Sequence, residues 1–123
     1  MVRILVIDDD DNFRSMLCTA LEWAGYTAEE ARNGQEGIRR HRTEPVDLVI
    51  TDILMPEQEG LETIQALRQE FPAIKIIAIS GGMGRLNFLP LAKKLGALQT
   101  LQKPFALQQL YDVVREVLLP PAL

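Results

Sequence analysis

Several features are scarce in this sequence, and each scarcity excludes something. One cysteine, Cys18, stands among 123 residues, so no disulfide can form within the chain. That fits a reducing compartment and points to the cytoplasm. No apolar run approaches the ~20 residues that a bilayer-spanning helix needs, so no membrane association is expected. The N-terminus passes from a short apolar segment straight into Asp8–Asp9–Asp10–Asp11, which is not the shape of a secretory leader. Cations are also in the minority, 13 Lys and Arg against 17 Asp and Glu, for a net charge of −4. They are scattered except at Arg39–Arg40–His41–Arg42, which reads as a solvated helix face. A surface that grips phosphate backbones is usually basic, so nucleic acid is excluded as a direct partner. No G-x-G-x-x-G follows the first apolar run, which argues against a dinucleotide or flavin site.

What is present reads as one domain over residues 1–119, with 120–123 a tail or the start of a removed linker. With 47% apolar and 24% charged residues, the chain can build a core without staples. Val2–Ile7 is apolar apart from Arg3, as in a strand buried on both faces. Phe13, Met16, Leu17, Ala20, Leu21 and Ala24 follow at helical spacing, and Gly25 closes that helix. Thr27–Ala31 reads as a more polar edge strand, and Gln35–Arg42 as a short helix after the Asn33–Gly34 turn. Asp47–Thr51, Ile74–Ile79 and Leu98–Leu101 are further strands. Helices are predicted over Gly60–Phe71, stopped by Pro72, over Asn87–Leu95, ended by Gly96, and over Ala106–Leu119, with Leu107, Leu110, Val114, Val117 and Leu118 as its apolar stripe. Cys18 falls off the first helix's stripe and is expected to be partly exposed and unreactive. His41 has no evident partner and is expected on the surface. Tyr111 reads as edge-of-core packing, while Val113 lies further off the stripe and is weighed as part of an apolar partner surface.

Five β–α pairs in strict alternation imply a doubly wound α/β fold: a five-stranded parallel sheet of order 2-1-3-4-5, flavodoxin-like, with helices on both faces. Its ligand site lies outside the carboxyl ends of the strands. Applied here, that rule gathers Asp8 and Asp9 after the first strand, Asp52 after the third, Ser80 and Gly81 at the end of the fourth, and Lys103 followed by Pro104 after the fifth. Clustered carboxylates repel one another and call for a cation. All-oxygen ligands favour a hard ion such as Mg²⁺. A carboxylate such as Asp52 can attack phosphorus, while a lysine, a hydroxyl and glycine-loop N–H groups hold phosphoryl oxygens.

Ile4-Leu5-Val6-Ile7-Asp8-Asp9, Asp47-Leu48-Val49-Ile50-Thr51-Asp52-Ile53-Leu54-Met55-Pro56, Gly60, Ser80 with small residues after it, and Lys103-Pro104-Phe105 occur in this order along the whole chain. Together they resemble the receiver domain of bacterial two-component response regulators. The resemblance implies that Asp52 accepts the phosphoryl group, that Asp8, Asp9, Asp52 and the Leu54 backbone carbonyl hold Mg²⁺, and that Ser80 is the switch hydroxyl. It also implies that Lys103 pairs with the phosphoryl group and that Pro104 follows a cis peptide bond. The implied donor is a sensor histidine kinase or histidine phosphotransfer protein. The implied recipient of the signal is a downstream output protein or a removed output domain, with a homodimer through the face of the fourth helix, fifth strand and fifth helix as a further arrangement. Such a chain is not a metabolic enzyme: it catalyses only its own phosphorylation and slow dephosphorylation.

Three positions depart from the pattern. Thr100 stands where the family's switch aromatic is usual. Gln58 replaces an apolar residue. Gly81–Gly82–Met83–Gly84 is unusually rich in glycine, which predicts a mobile segment. Two competing functions follow: a degenerate receiver that only docks, which Thr100 keeps open but the intact acids and lysine speak against, and an aspartyl-nucleophile phosphohydrolase, which the placement of the acids on separate strands disfavours.

Overall fold

The computed structural model describes residues 1–53, 59–81 and 89–119. Apolar runs become strands and amphipathic stretches become helices in strict alternation. The order is β1 (Arg3–Ile7), α1 (Asp11–Trp23), β2 (Thr27–Ala31), α2 (Gly34–Thr43), β3 (Leu48–Asp52), α3 (Glu59–Glu70), β4 (Ile76–Ser80), α4 (Leu89–Leu95), β5 (Gln99–Gln102) and α5 (Leu107–Leu118). The strands form one parallel sheet ordered β2-β1-β3-β4-β5, which is the order expected from the alternation. β2, the most polar strand, lies at an edge where half-exposure is tolerated.

Period-two alternation divides the strands between two cores. Leu5, Ile7, Val49, Ile76 and Ala78 face α2, α3 and α4, packing with Ile64, Leu67 and Ala92. Ile4, Val6, Leu48, Ile50, Ile77 and Ile79 face α1 and α5, packing with Leu17, Leu21, Leu110 and Val114. Each fully buried Leu, Ile or Val contributes roughly 1.5–3 kcal/mol relative to exposure. Sealing both faces in this way fixes the carboxyl ends of β1, β3, β4 and β5 side by side. Among the described residues, no helix is long and apolar enough to cross a membrane.

Helix ends follow the expected local chemistry. The Asp10 carboxylate accepts the N–H groups of Asn12 and Phe13 and caps α1, satisfying two donors that have no partner within the helix. Gly25 and Gly96 follow α1 and α4 with φ of 96° and 132°, a left-handed geometry that stops a helix. The fourth helix is described from Leu89; Asn87 and the residue after it lie outside the described residues, as do Gly82–Gly84 of the glycine-rich segment.

The side chains correct several expectations. Met16 and Leu107, placed on apolar stripes, are exposed. Cys18 is buried rather than partly exposed. Its thiol is pushed up to about 12, chiefly by burial and then by the charges of Glu30 and Glu22, so it stays protonated and unreactive. Tyr111 sits at the edge of the core as expected and donates its hydroxyl to the Ala20 carbonyl at 2.9 Å, tying α5 to α1. Val113 is half-buried against the same core.

His41 is the largest correction. It is 6% exposed rather than on the surface. Its Nδ1 accepts the Val46 N–H at 3.0 Å, and its ring meets Phe71 edge-on with centroids 4.4 Å apart. The acceptor role requires the neutral ring, and burial lowers its pKa from the ordinary value of 6.5. The unfolded chain therefore takes up a proton before the folded one does. Stability linked to His41 is complete above the unfolded pKa and is lost as pH falls through that value toward the folded one. The urea midpoint of the wild type, measured relative to that of His41→Asn, whose amide oxygen can accept the same N–H, should fall between about pH 7 and pH 5, a difference from which the opposite linkage of the raised Asp8 carboxyl cancels. Parallel pH slopes for the two proteins would contradict it.

Candidate functional site

The site is assembled at the carboxyl ends of the strands. β1 delivers Asp8, which is 1% exposed. Its N–H donates to the Ala31 carbonyl at 3.1 Å, and its Oδ1 accepts the Asp10 N–H at 2.9 Å. The first bond fixes the backbone at the end of β1, and the second orients the carboxylate. Asp9 is exposed beside it. β3 ends on Asp52, which is 6% exposed. β4 ends on buried Ser80, one residue past the register partner of Asp52, and half-buried Gly81 follows. After β5, the Lys103 N–H donates to the Ser80 carbonyl at 2.7 Å, which continues the ladder and turns the lysine inward. The Lys103–Pro104 peptide is cis.

These residues converge. One carboxylate oxygen from each of Asp8, Asp9 and Asp52 lies within 4.8 Å of the others. Lys103 Nζ is 3.0 Å from Asp52 Oδ2 and 3.5 Å from Asp8 Oδ2. Asp8 is pushed up to about 6, first by burial and then by the charge of Asp52, against the opposing pull of the Asp10 N–H and the Lys103 ammonium. One ammonium does not balance three carboxylates, two of them buried. The donor set is entirely oxygen and anionic, which fits a hard divalent ion such as Mg²⁺ far better than a softer metal. Thr100 lies half-buried on β5, paired in register with Ala78. Leu54, with Met55, Pro56, Glu57 and Gln58, lies outside the described residues.

Residues 4–115 match the family described as the response regulator receiver domain. This chain belongs to that family. Among curated receivers, it is 34% identical over 119 residues to the response regulator receiver protein CpdR of Brucella abortus, covering 97% of this chain and 98% of that one. It is also 37% identical over 119 residues to sensor kinase CckA of the same organism, covering 94% of this chain but 12% of CckA. Of other receiver-bearing relatives it spans about half, 46% and 48% of their length. Among solved receivers, TrrA of Thermotoga maritima, crystallised in complex with Mg²⁺-BeF, superposes with a TM-score of 0.85 at 32% identity, covering 95% of this chain and 99% of that one. Receiver domains are signalling modules of two-component systems, and the acidic pocket of this one can hold Mg²⁺.

Two residues of this receiver site escaped the reading of the sequence. Arg14 is buried, and its guanidinium donates to the Asp8 carbonyl at 2.6 Å, to Asp11 at 2.6 Å and to Glu30 at 2.9 Å. It braces the loop that carries the acids. Its spacing of three from Asp11 was the one signal available. Phe13 reads from its spacing as core, yet its ring lies against the Lys103 ammonium, with the centroid 3.8 Å from Nζ.

Proposed function

We propose that Asp52 of this receiver accepts a phosphoryl group from a phosphohistidine on a sensor kinase or phosphotransfer protein, in a Mg²⁺-dependent reaction, and that the product controls a partner. The observation that carries this reading is the Lys103 ammonium, 3.0 Å from the Asp52 carboxylate and within reach of Asp8, beside a three-carboxylate cluster that suits a divalent ion. An Asp52 oxygen attacks phosphorus and forms the new P–O bond. The P–N bond of the donor breaks, and its electron pair stays on the imidazole nitrogen. Lys103 pairs with a phosphoryl oxygen, and the Ser80 hydroxyl and Gly81 N–H hold others. Asp8, Asp9 and Asp52 would hold Mg²⁺, with the Leu54 carbonyl as the family resemblance implies. When bound, the ion withdraws charge from the oxygens of the transferring group.

The chain then acts as a switch, not a metabolic catalyst: phosphorylation biases an equilibrium between two conformations that the partner reads. Thr100 in the aromatic's place means that this bias is transmitted without an inward-swinging ring. The face of α4, β5 and α5 is the proposed output or self-association surface, and residues 1–119 are the proposed functional unit. The reading places the chain in the cytoplasm.

Intact-protein mass spectrometry tests this proposal. Incubation with acetyl phosphate and Mg²⁺ should add one phosphoryl group, and the same incubation with a chelator should add none. Equal uptake in both would remove the metal from the reaction. No uptake from acetyl phosphate or from a phosphohistidine donor, by folded protein, would leave a docking module instead.

A further inference from the structure

Lysine has a strongly hydrated head on a flexible stem, and the Lys103 side chain is 23% exposed. Such a residue at the mouth of a site swings into water unless something holds it. Two carboxylates do so, Asp52 at 3.0 Å and Asp8 at 3.5 Å. Both belong to the set that suits a divalent ion, so their hold on the ammonium weakens when a cation shares them. The third neighbour is of a different kind. The face of the Phe13 ring, the negative pole of its quadrupole, lies 3.8 Å from Lys103 Nζ. A phenyl ring has no formal charge and binds no metal ion in competition, so its attraction persists whatever the carboxylates are doing.

The ring is itself held. Phe13 is in the first turn of α1, and its N–H is bonded to the Asp10 carboxylate at 3.1 Å. Phe105, two residues beyond Lys103, meets it edge-on with centroids 6.2 Å apart at 74°. The acid-bearing loop and the lysine-bearing loop are thus joined through one aromatic pair. We propose that Phe13 is a positioning residue for phosphoryl uptake, a metal-independent tether that keeps the Lys103 ammonium in the site while the carboxylates are engaged. This rests on the phosphoacceptor reading above.

The test compares Phe13→Leu, which keeps apolar bulk but has no π face, with Phe13→Trp, which restores a stronger one. Phe13→Leu should slow uptake from acetyl phosphate at saturating Mg²⁺ roughly three- to tenfold, with Mg²⁺ affinity unchanged. Phe13→Trp should restore the rate. In a Lys103→Met background, followed over a long time course, Phe13→Leu should have no further effect, since the tether has nothing left to hold. Separately, the Lys103 Hε protons of the unphosphorylated wild type should show an upfield ring-current shift that Phe13→Leu abolishes. A wild-type rate in Phe13→Leu, or an equal slowing in the Lys103→Met background, would overturn the proposal, the latter by showing a packing effect. If the wild type takes up no phosphoryl group, the phosphoacceptor reading fails instead. The ring-current shift still decides whether Phe13 holds the ammonium, and its absence from the wild type overturns the tether by itself.

Discussion

Asp52→Asn should take up no phosphoryl group from acetyl phosphate under conditions that phosphorylate the wild type, a loss to below detection by intact mass. The carboxylate oxygen is the nucleophile in the proposed reaction, and an amide oxygen that lacks the negative charge does not form a stable acyl phosphate. The change is also nearly isosteric at a position that is 6% exposed, so the fold has little reason to fail. Removing one of three clustered negative charges relieves a repulsion that now contributes to raising Asp8, while Lys103 keeps Asp8 as a partner at 3.5 Å. The melting temperature of the metal-free variant should therefore equal or exceed that of the wild type. This pairing of lost uptake with undiminished stability separates a chemical defect from an unfolded protein. A variant that still gains a full phosphoryl group would assign the acceptor to another residue, which peptide mapping would identify.

Gly60→Ala should be strongly destabilising, because the methyl it adds meets backbone and not side chain. Gly60 lies at the start of α3, where the helix passes directly over the end of β3. A Cβ built there would lie 2.3 Å from the Asp52 carbonyl oxygen and 2.3 Å from the Ile53 Cα. Both are backbone atoms of the strand that carries Asp52, the proposed acceptor, and of its continuation, so relief requires moving α3 or β3 itself. Overpacking of a well-filled site costs about 1–3 kcal/mol, and a backbone clash puts this case near about 3 kcal/mol, a fall in Tm of roughly 10 °C for a chain of this size. Gly37→Ala is the instructive contrast. Its Cβ would meet the Ile7 Cδ1 at 2.4 Å and Cγ1 at 2.9 Å, but these are side-chain atoms that can turn aside without moving a strand, and alanine favours the helix by about 1 kcal/mol over glycine. Gly37→Ala should melt well above Gly60→Ala. Because the displaced backbone is that of Asp52, phosphoryl uptake by Gly60→Ala should also fall at temperatures where it remains folded. Equal melting of the two variants would show that α3 yields more easily than its packing suggests.

The amino-acid sequence alone determined the elements, their alternation and which side chains share the site. Strands such as Ile76–Ser80 are legible because a strand covered on both faces must be apolar throughout, and β2 betrays its edge position by its glutamates. Asp8, Asp9, Asp52, Ser80 and Lys103 were legible because parallel strands in such a sheet must all discharge their carboxyl ends at one edge, so sequence position just after a strand becomes a position in space. Tertiary structure alone decided how far burial extends around each helix and which distant groups meet. Periodicity points to the centre of a buried face but not to its width. Met16 and Leu107 therefore lie on apolar stripes and remain exposed, while Cys18 lies off its stripe and is covered. His41 looked solvent-facing in a run of arginines, and became core because folding brought it the Val46 N–H to accept and the Phe71 ring to lie against. Phe13, near one end of the chain, took its place beside Lys103, near the other. A buried or half-buried group is satisfied by whatever the packed chain places next to it, and that neighbour is chosen by the fold and not by the local pattern.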